Sequence, residues 1–289
     1  MNAMKHAEEL EFDLGEICLR GKIYGKENSN PLIALHGWLD NCGSFDFIVP
    51  HLLEQDYCVL TLDLAGHGKS DYRNTIGAYN IWQDIPELVL VADMLKWQEF
   101  SLLGHSRGAM VAMLFSACCP HRVKNLGLID GVFPQSSQES AVVVQLKSSL
   151  SGMFTVRDKK RNYYSSFEDA VKARENGFTA LCHADALVLA GRGVAEENGK
   201  FYWSSDPKLS IPSELKFTQN QIHEFISSLA VNPVLIMAEE GLVKEYPELR
   251  DWVKKYPDFQ THFLPGDHHL HMSRQGKEVA DILIKSFLH

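Results

Sequence analysis

The 289-residue sequence has no long hydrophobic run. No segment approaches the roughly 20 apolar residues that a membrane span requires. The opening stretch, MNAMKHAEELEFDLGE, lacks the apolar core of a secretory signal. The expectation is therefore no leader, no anchor and a cytoplasmic location. Positive charge is scarce as well: 28 Lys and Arg stand against 37 Asp and Glu, a formal net charge of -9. That balance speaks against nucleic acid or an anionic membrane as the main partner. Cysteines are few and unpatterned. Cys18, Cys42, Cys58, Cys118, Cys119 and Cys182 show no Cys-x-x-Cys spacing, and two of them are sequence neighbours. This predicts reduced thiols, mostly in the core, rather than a disulfide or zinc framework.

What the chain does contain is strand–helix alternation. Short apolar runs at 32–35, 58–62, 100–103, 126–129 and 234–238 read as buried strands, with a further candidate at 259–264. Helical spacing of apolar residues fills 80–97, the stretch after Ser106, and 279–287. Such alternation predicts an α/β fold, a mostly parallel sheet with helices on both faces. Segment 10–24 alternates instead and predicts an antiparallel hairpin at the sheet edge. Between about 133 and 217 the regular alternation stops. A helical insertion there would sit over the strand C-terminal ends, where ligands bind in such folds. The expected organisation is a core of 1–132 and 218–289 with a cap of 133–217, inserted after the sixth strand. Ser166 with Asp169 reads as a helix start, and the charged run 157–161, RDKKR, as a solvated face.

The chemistry centres on LLGHSRGAM, 102–110, which puts Ser106 between two glycines after a strand and before a helix. A Gly-x-Ser-x-Gly turn in that context projects the serine hydroxyl from the sheet as a nucleophile. The competing reading is a helix-capping serine. As a nucleophile Ser106 needs an oxyanion site. The amide of Arg107 at the helix start and the amide of Trp38, in His36-Gly37-Trp38 after the strand 32–35, are the candidates. The loop DLAGHGKSD, 63–71, reads as structural.

HGW, DLAGHGKSD and GHSRGA, in this order and each after a strand, resemble the α/β-hydrolase fold superfamily. Within it, LHGWLDN, LGLIDGVFP and PGDHHLHM are most similar to serine hydrolase-like proteins. The likeness covers roughly 20–132 and 215–289. It implies a catalytic histidine in the late segment GDHHLH. There His269 fits the family spacing to the final helix without a gap, with His268 as the alternative and His271 out of phase. A metal site on the same HHxH cluster lacks further ligands in the sequence, and no HExxH partner is present. No Asp occupies the position after the strand 234–238, where most members carry the acid. Some members place it after the sixth strand, which here is Asp130, 24 residues beyond Ser106. Glu240 or Glu239 remains open as the acid.

The function these readings imply is a serine hydrolase, a carboxylesterase acting on a small-molecule acyl substrate through an acyl-enzyme, with no cofactor and no metal. Carbon–carbon bond hydrolysis or acyl transfer would use the same residues. A small-molecule receptor with negligible turnover is the alternative from another class. His36, Phe133 and Trp203 are expected to line the substrate pocket. Substrate identity and oligomeric state are not legible.

Overall fold

The computed structural model describes residues 7–177, 179–272 and 275–287. The first six residues of the expected core and its last two lie outside the described residues. Among the described residues the strands are β1 Glu8–Asp13, β2 Cys18–Tyr24, β3 Asn30–Leu35, β4 Tyr57–Asp63, β5 Phe100–His105, β6 Val123–Ile129, β7 Val194–Glu197, β8 Lys200–Trp203, β9 Val234–Ala238 and β10 Gln260–Leu264. The α-helices are α1 Val49–Leu53, α2 Asp84–Met94, α3 Arg107–Cys118, α4 Val142–Asp158, α5 Phe167–Glu175, α6 His183–Gly193, α7 Gln219–Ser227, α8 Leu242–Glu245, α9 Leu249–Val253 and α10 Gly276–Phe287.

Eight strands form one sheet in the order β1-β2-β4-β3-β5-β6-β9-β10. From β4 to β10 every pairing is parallel, whereas β1 pairs antiparallel with β2, and β2 with β4. The central parallel strands are mostly apolar because both sheet faces are covered. In β3, Ile33 and Leu35 enter the cluster that α2, α3 and α7 share, while Leu32 and Ala34 enter the one built with α1 and α10. β9 divides its residues in the same alternating way. Each such Leu or Ile, fully buried, contributes about 1.5–3 kcal/mol.

The chain runs from β3 outward to β4, then returns to place β5 on the other side of β3. The strand order therefore reverses at β3, and the crevice for a ligand opens above the C-terminal ends of β3 and β5.

Segment 133–217 is less uniformly helical than expected. Besides α4, α5 and α6 it holds the antiparallel hairpin β7–β8. Its turn is Asn198-Gly199, both at positive φ (52° and 72°), the pairing that two-residue hairpins favour. The segment packs on the loops that follow β3 and β4. Asn41 Nδ2 donates to the Leu189 carbonyl at 2.8 Å, Trp38 Nε1 to the Leu209 carbonyl at 3.0 Å, and Arg192 Nε to Asp63 Oδ2 at 2.7 Å. Ser166 caps α5, accepting from the Asp169 amide at 3.0 Å. All six cysteines are free thiols. Only Cys42 and Cys58 are buried, while Cys118 and Cys182 are exposed, so the expectation of mostly core cysteines is corrected. Among the described residues no helix is long and apolar enough to cross a membrane.

Candidate active site

β5 delivers Ser106 at the switch point. Its backbone sits at φ 50°, ψ -115°, a region that costs a non-glycine residue about 1–3 kcal/mol. The turn is held from both sides: the Ser106 amide donates to the Ile129 carbonyl at 2.9 Å, and the Ser106 carbonyl accepts from the Ala109 amide at 3.0 Å. The flanking glycines are required by close approach. A Cβ on Gly108 would lie 2.0 Å from the Leu35 carbonyl oxygen, and one on Gly104 would lie 2.4 Å from the Gly108 carbonyl oxygen. The capping reading of Ser106 fails, because its side chain makes no cap hydrogen bond to α3.

The hydroxyl meets a histidine instead, and that histidine is His268. Its Nε2 lies 2.9 Å from Ser106 Oγ, and its Nδ1 lies 2.6 Å from Asp130 Oδ2. A carboxylate only accepts, so Nδ1 carries the proton and Nε2 offers a lone pair to the serine. The expectation for His269 is corrected. The Asp267 side chain accepts from the His269 amide at 2.8 Å, and the Leu270 amide donates to the Asp267 carbonyl at 3.0 Å, closing a turn. That turn sends the His268 ring toward the serine and the His269 ring into the core, where it is 1% exposed.

Asp130 leaves β6 with φ 37°, and its amide donates to the Ile236 carbonyl at 2.7 Å. Its carboxylate also accepts from the Ala238 and Leu242 amides, each at 3.0 Å, which fixes it between β9 and α8. Glu239 and Glu240 do not occupy this place. Both are exposed, Glu239 near Arg250 and Glu240 paired with Lys244.

Arg107 opens α3, so its amide is one of those at the helix start without an intrahelical acceptor. Its side chain turns away from the serine into a buried pair with Asp84, 2.7 Å apart, and Asp84 in turn meets Arg73 at 2.8 Å. Trp38 stands in the wall of a cavity of about 270 Å³ that also contains Ser106 and His268. His36, expected in the pocket, is buried: its Nδ1 lies 2.7 Å from the Gly37 carbonyl, and its Nε2 accepts from the Leu64 amide at 3.0 Å. Phe133 packs on Trp252, ring centroids 4.2 Å apart, and lines a different cavity. Trp203 lines a neighbouring cavity rather than the one holding Ser106. The 63–71 loop is a scaffold, in which Asp63 accepts from the Cys42 and Lys69 amides, each at 2.8 Å.

Sequence reasoning missed a buried cluster beneath the serine. His105 Nε2 lies 2.8 Å from the His268 carbonyl, which accepts its proton, so the residue before the serine anchors the backbone of the histidine facing it. Asp40 accepts from Arg174 Nη2 at 2.9 Å and from His269 Nε2 at 3.2 Å. Burial alone would raise the Asp40 pKa, but His269 and His105 beside it outweigh that and hold it well below the usual carboxylate range. Burial pushes His105 down to about 4, against the opposing pull of Asp40. Asp40, His105 and His269 bring three ligand-type atoms within 4.8 Å of one another, so metal ligand types that the HHxH sequence lacked are present. The Arg174 guanidinium already neutralises Asp40 there, and the group reads as an ion-pair network.

Residues 30–275 match the model of the alpha/beta hydrolase fold family. A zebrafish (Danio rerio) serine hydrolase-like protein is 27% identical over 93% of this chain and 85% of its own length. Human serine hydrolase-like protein 2 is 27% identical over 93% and 90%. Among solved structures, a hypothetical protein of Pseudomonas aeruginosa PAO1 superimposes with a TM-score of 0.92 at 35% identity, covering 98% of this chain and 100% of that one. The thioesterase domain from the curacin biosynthetic pathway shares the fold, with a TM-score of 0.83 at 23% identity over 98% and 100%. With a match that spans most of its length, and relatives described as serine hydrolase-like, the chain belongs to the alpha/beta hydrolase fold family.

Proposed function

We propose that the protein is a serine hydrolase that cleaves carboxylic esters or related acyl compounds through an acyl-enzyme on Ser106. The observation that carries this reading is the continuous hydrogen-bonded line from Ser106 Oγ through His268 to Asp130, at 2.9 and 2.6 Å. His268 Nε2 takes the hydroxyl proton as Oγ attacks the acyl carbon, and the same nitrogen returns it to the leaving group. Asp130 holds the imidazole in the tautomer that leaves Nε2 free, and stabilises the imidazolium once it forms. The Arg107 and Trp38 amides receive the developing oxyanion, helped by the partial positive charge at the α3 N-terminus. Water then attacks the acyl-enzyme by the same general-base route. Segment 133–217 acts as the cap that limits what reaches the serine.

The test is labelling with a fluorophosphonate probe, beside turnover of nitrophenyl esters of rising acyl length. Labelling and turnover that disappear in Ser106→Ala support the reading. An unlabelled, inactive wild type overturns it in favour of a binding protein.

A further inference from the structure

The charged run 157–161 is exposed throughout, as expected of a solvated face, but three of its residues also border a cavity. Lys159, Lys160 and Arg161 line a cavity of about 370 Å³ between segment 133–217 and the loop after β3. No carboxylate pairs with any of the three among the described residues. The Arg161 guanidinium stacks over the Tyr202 ring at 4.1 Å, which holds it in place without neutralising it. Arg174, in the same wall, is mostly buried, and its Nε has no acceptor among the described residues. The acidic member of the wall, Asp206, is already engaged, accepting from Tyr79 Oη at 2.7 Å and the Lys208 amide at 2.9 Å.

This cavity adjoins the one that contains Ser106, for Trp38 and Thr179 stand in the wall of both. The second cavity has the opposite electrostatic character, with Glu240, Glu245 and Asp267 around the serine and His268. A substrate with its acyl carbon at Ser106 thus meets acidic groups near the reacting centre and cations beyond Trp38. Trp38, Leu39, Tyr164 and Trp203 supply apolar surface between these charges.

We propose that the cavity beyond Trp38 binds the anionic end of the substrate, a carboxylate or phosphate group carried several atoms from the scissile acyl bond. The proposal rests on the hydrolase reading of Ser106 and His268, and it adds a substrate class to it.

The experiment compares matched substrates on the intact protein. One pair is the mono-nitrophenyl ester of adipic acid against nitrophenyl hexanoate, which places the anion on the acyl side. A second pair is butyryl-coenzyme A against the butyryl thioester of N-acetylcysteamine, which places it on the leaving group. The expected result is that one anionic substrate exceeds its neutral partner about tenfold in kcat/KM, equal to about 1.4 kcal/mol. That preference shrinks as salt rises. In the triple variant K159E/K160E/R161E, checked for an unchanged thermal midpoint, the ratio falls to one or below. Equal rates within both pairs, or a preference that survives the charge reversal, overturn the proposal while leaving the hydrolase reading intact. Failure to cleave any of the four substrates, with no fluorophosphonate labelling, overturns both.

Discussion

His268 Nδ1 and Asp130 Oδ2 lie 2.6 Å apart, joined across a separation of 138 residues. The same carboxylate accepts two backbone amides, from Ala238 and Leu242. Asp130 is thus rigidly placed before any substrate arrives, and orienting the imidazole needs no rearrangement. Asp130→Asn is expected to lower kcat on a nitrophenyl ester by about 10³–10⁴-fold through the wrong histidine tautomer. Glu239→Gln and Glu240→Gln are expected to leave it within about twofold, since both side chains are exposed and engaged elsewhere. Near-normal turnover by Asp130→Asn would show that another carboxylate serves the histidine.

Neighbouring histidines should separate cleanly by their roles. His268→Ala removes the proposed base, and kcat should fall by at least about 10³-fold with little change in thermal midpoint. His269→Ala removes a buried partner of Asp40 and should cost about 1–3 kcal/mol of stability, read as a lower urea midpoint. Its effect on kcat should be far smaller than that of His268→Ala. The reverse ranking of the two variants in kcat would restore His269 as the base.

The Arg107 side chain contributes to stability, whereas its amide belongs to the proposed oxyanion site. Arg107→Met leaves the buried Asp84 with Arg73 as its remaining cation. The expected loss is about 3 kcal/mol in urea unfolding, because truncating one member strands part of a buried charge. Substrate KM should barely move in the folded fraction. An unchanged urea midpoint would mean that the pair contributes nothing net.

Buried histidines make the fold sensitive to acid. Burial pushes His36, His67, His105 and His271 below the ordinary histidine pKa, with His105 at about 4. These groups stay neutral in the folded protein but gain protons in the unfolded chain. Stability is therefore present above the unfolded pKa of about 6.5 and is lost as pH falls below it, by at most about 1.4 kcal/mol per pH unit per group. Asp40 acts in the same direction at lower pH, for its depressed pKa adds stability that is full above the unfolded carboxylate pKa and is lost as the pH falls from there through the folded value. Urea midpoints measured at pH 8, 6 and 5 should decline in that order. His271, with neither ring nitrogen hydrogen-bonded among the described residues, supplies the control: His271→Leu should flatten the decline. A flat wild-type profile between pH 8 and 5 would contradict neutral burial of these rings.

The architecture was legible because its causes are local. Continuous apolar runs bounded by turns mark strands buried on two faces, and Gly-x-Ser-x-Gly after such a run marks a strand-to-helix turn too tight for a Cβ at 104 or 108. Asp130 was legible for a similar reason, since one helix and one strand separate it from Ser106. The hairpin at Asn198-Gly199 also carries a local signal, the Asn-Gly pair itself.

What the sequence determined by itself was the set of elements and the serine's place between strand and helix. Periodicity and steric fit act over a few residues and need no partner. The choice between His268 and His269 was different, for the two are chemically identical and adjacent. A turn closed by Asp267, together with Asp40 from the loop after β3, His105 from β5 and Arg174 from α5, decides which ring faces Ser106. The cations of 159–161 follow the same logic. Their charge is written in the sequence, but only packing against the loop after β3 makes them the wall of a cavity.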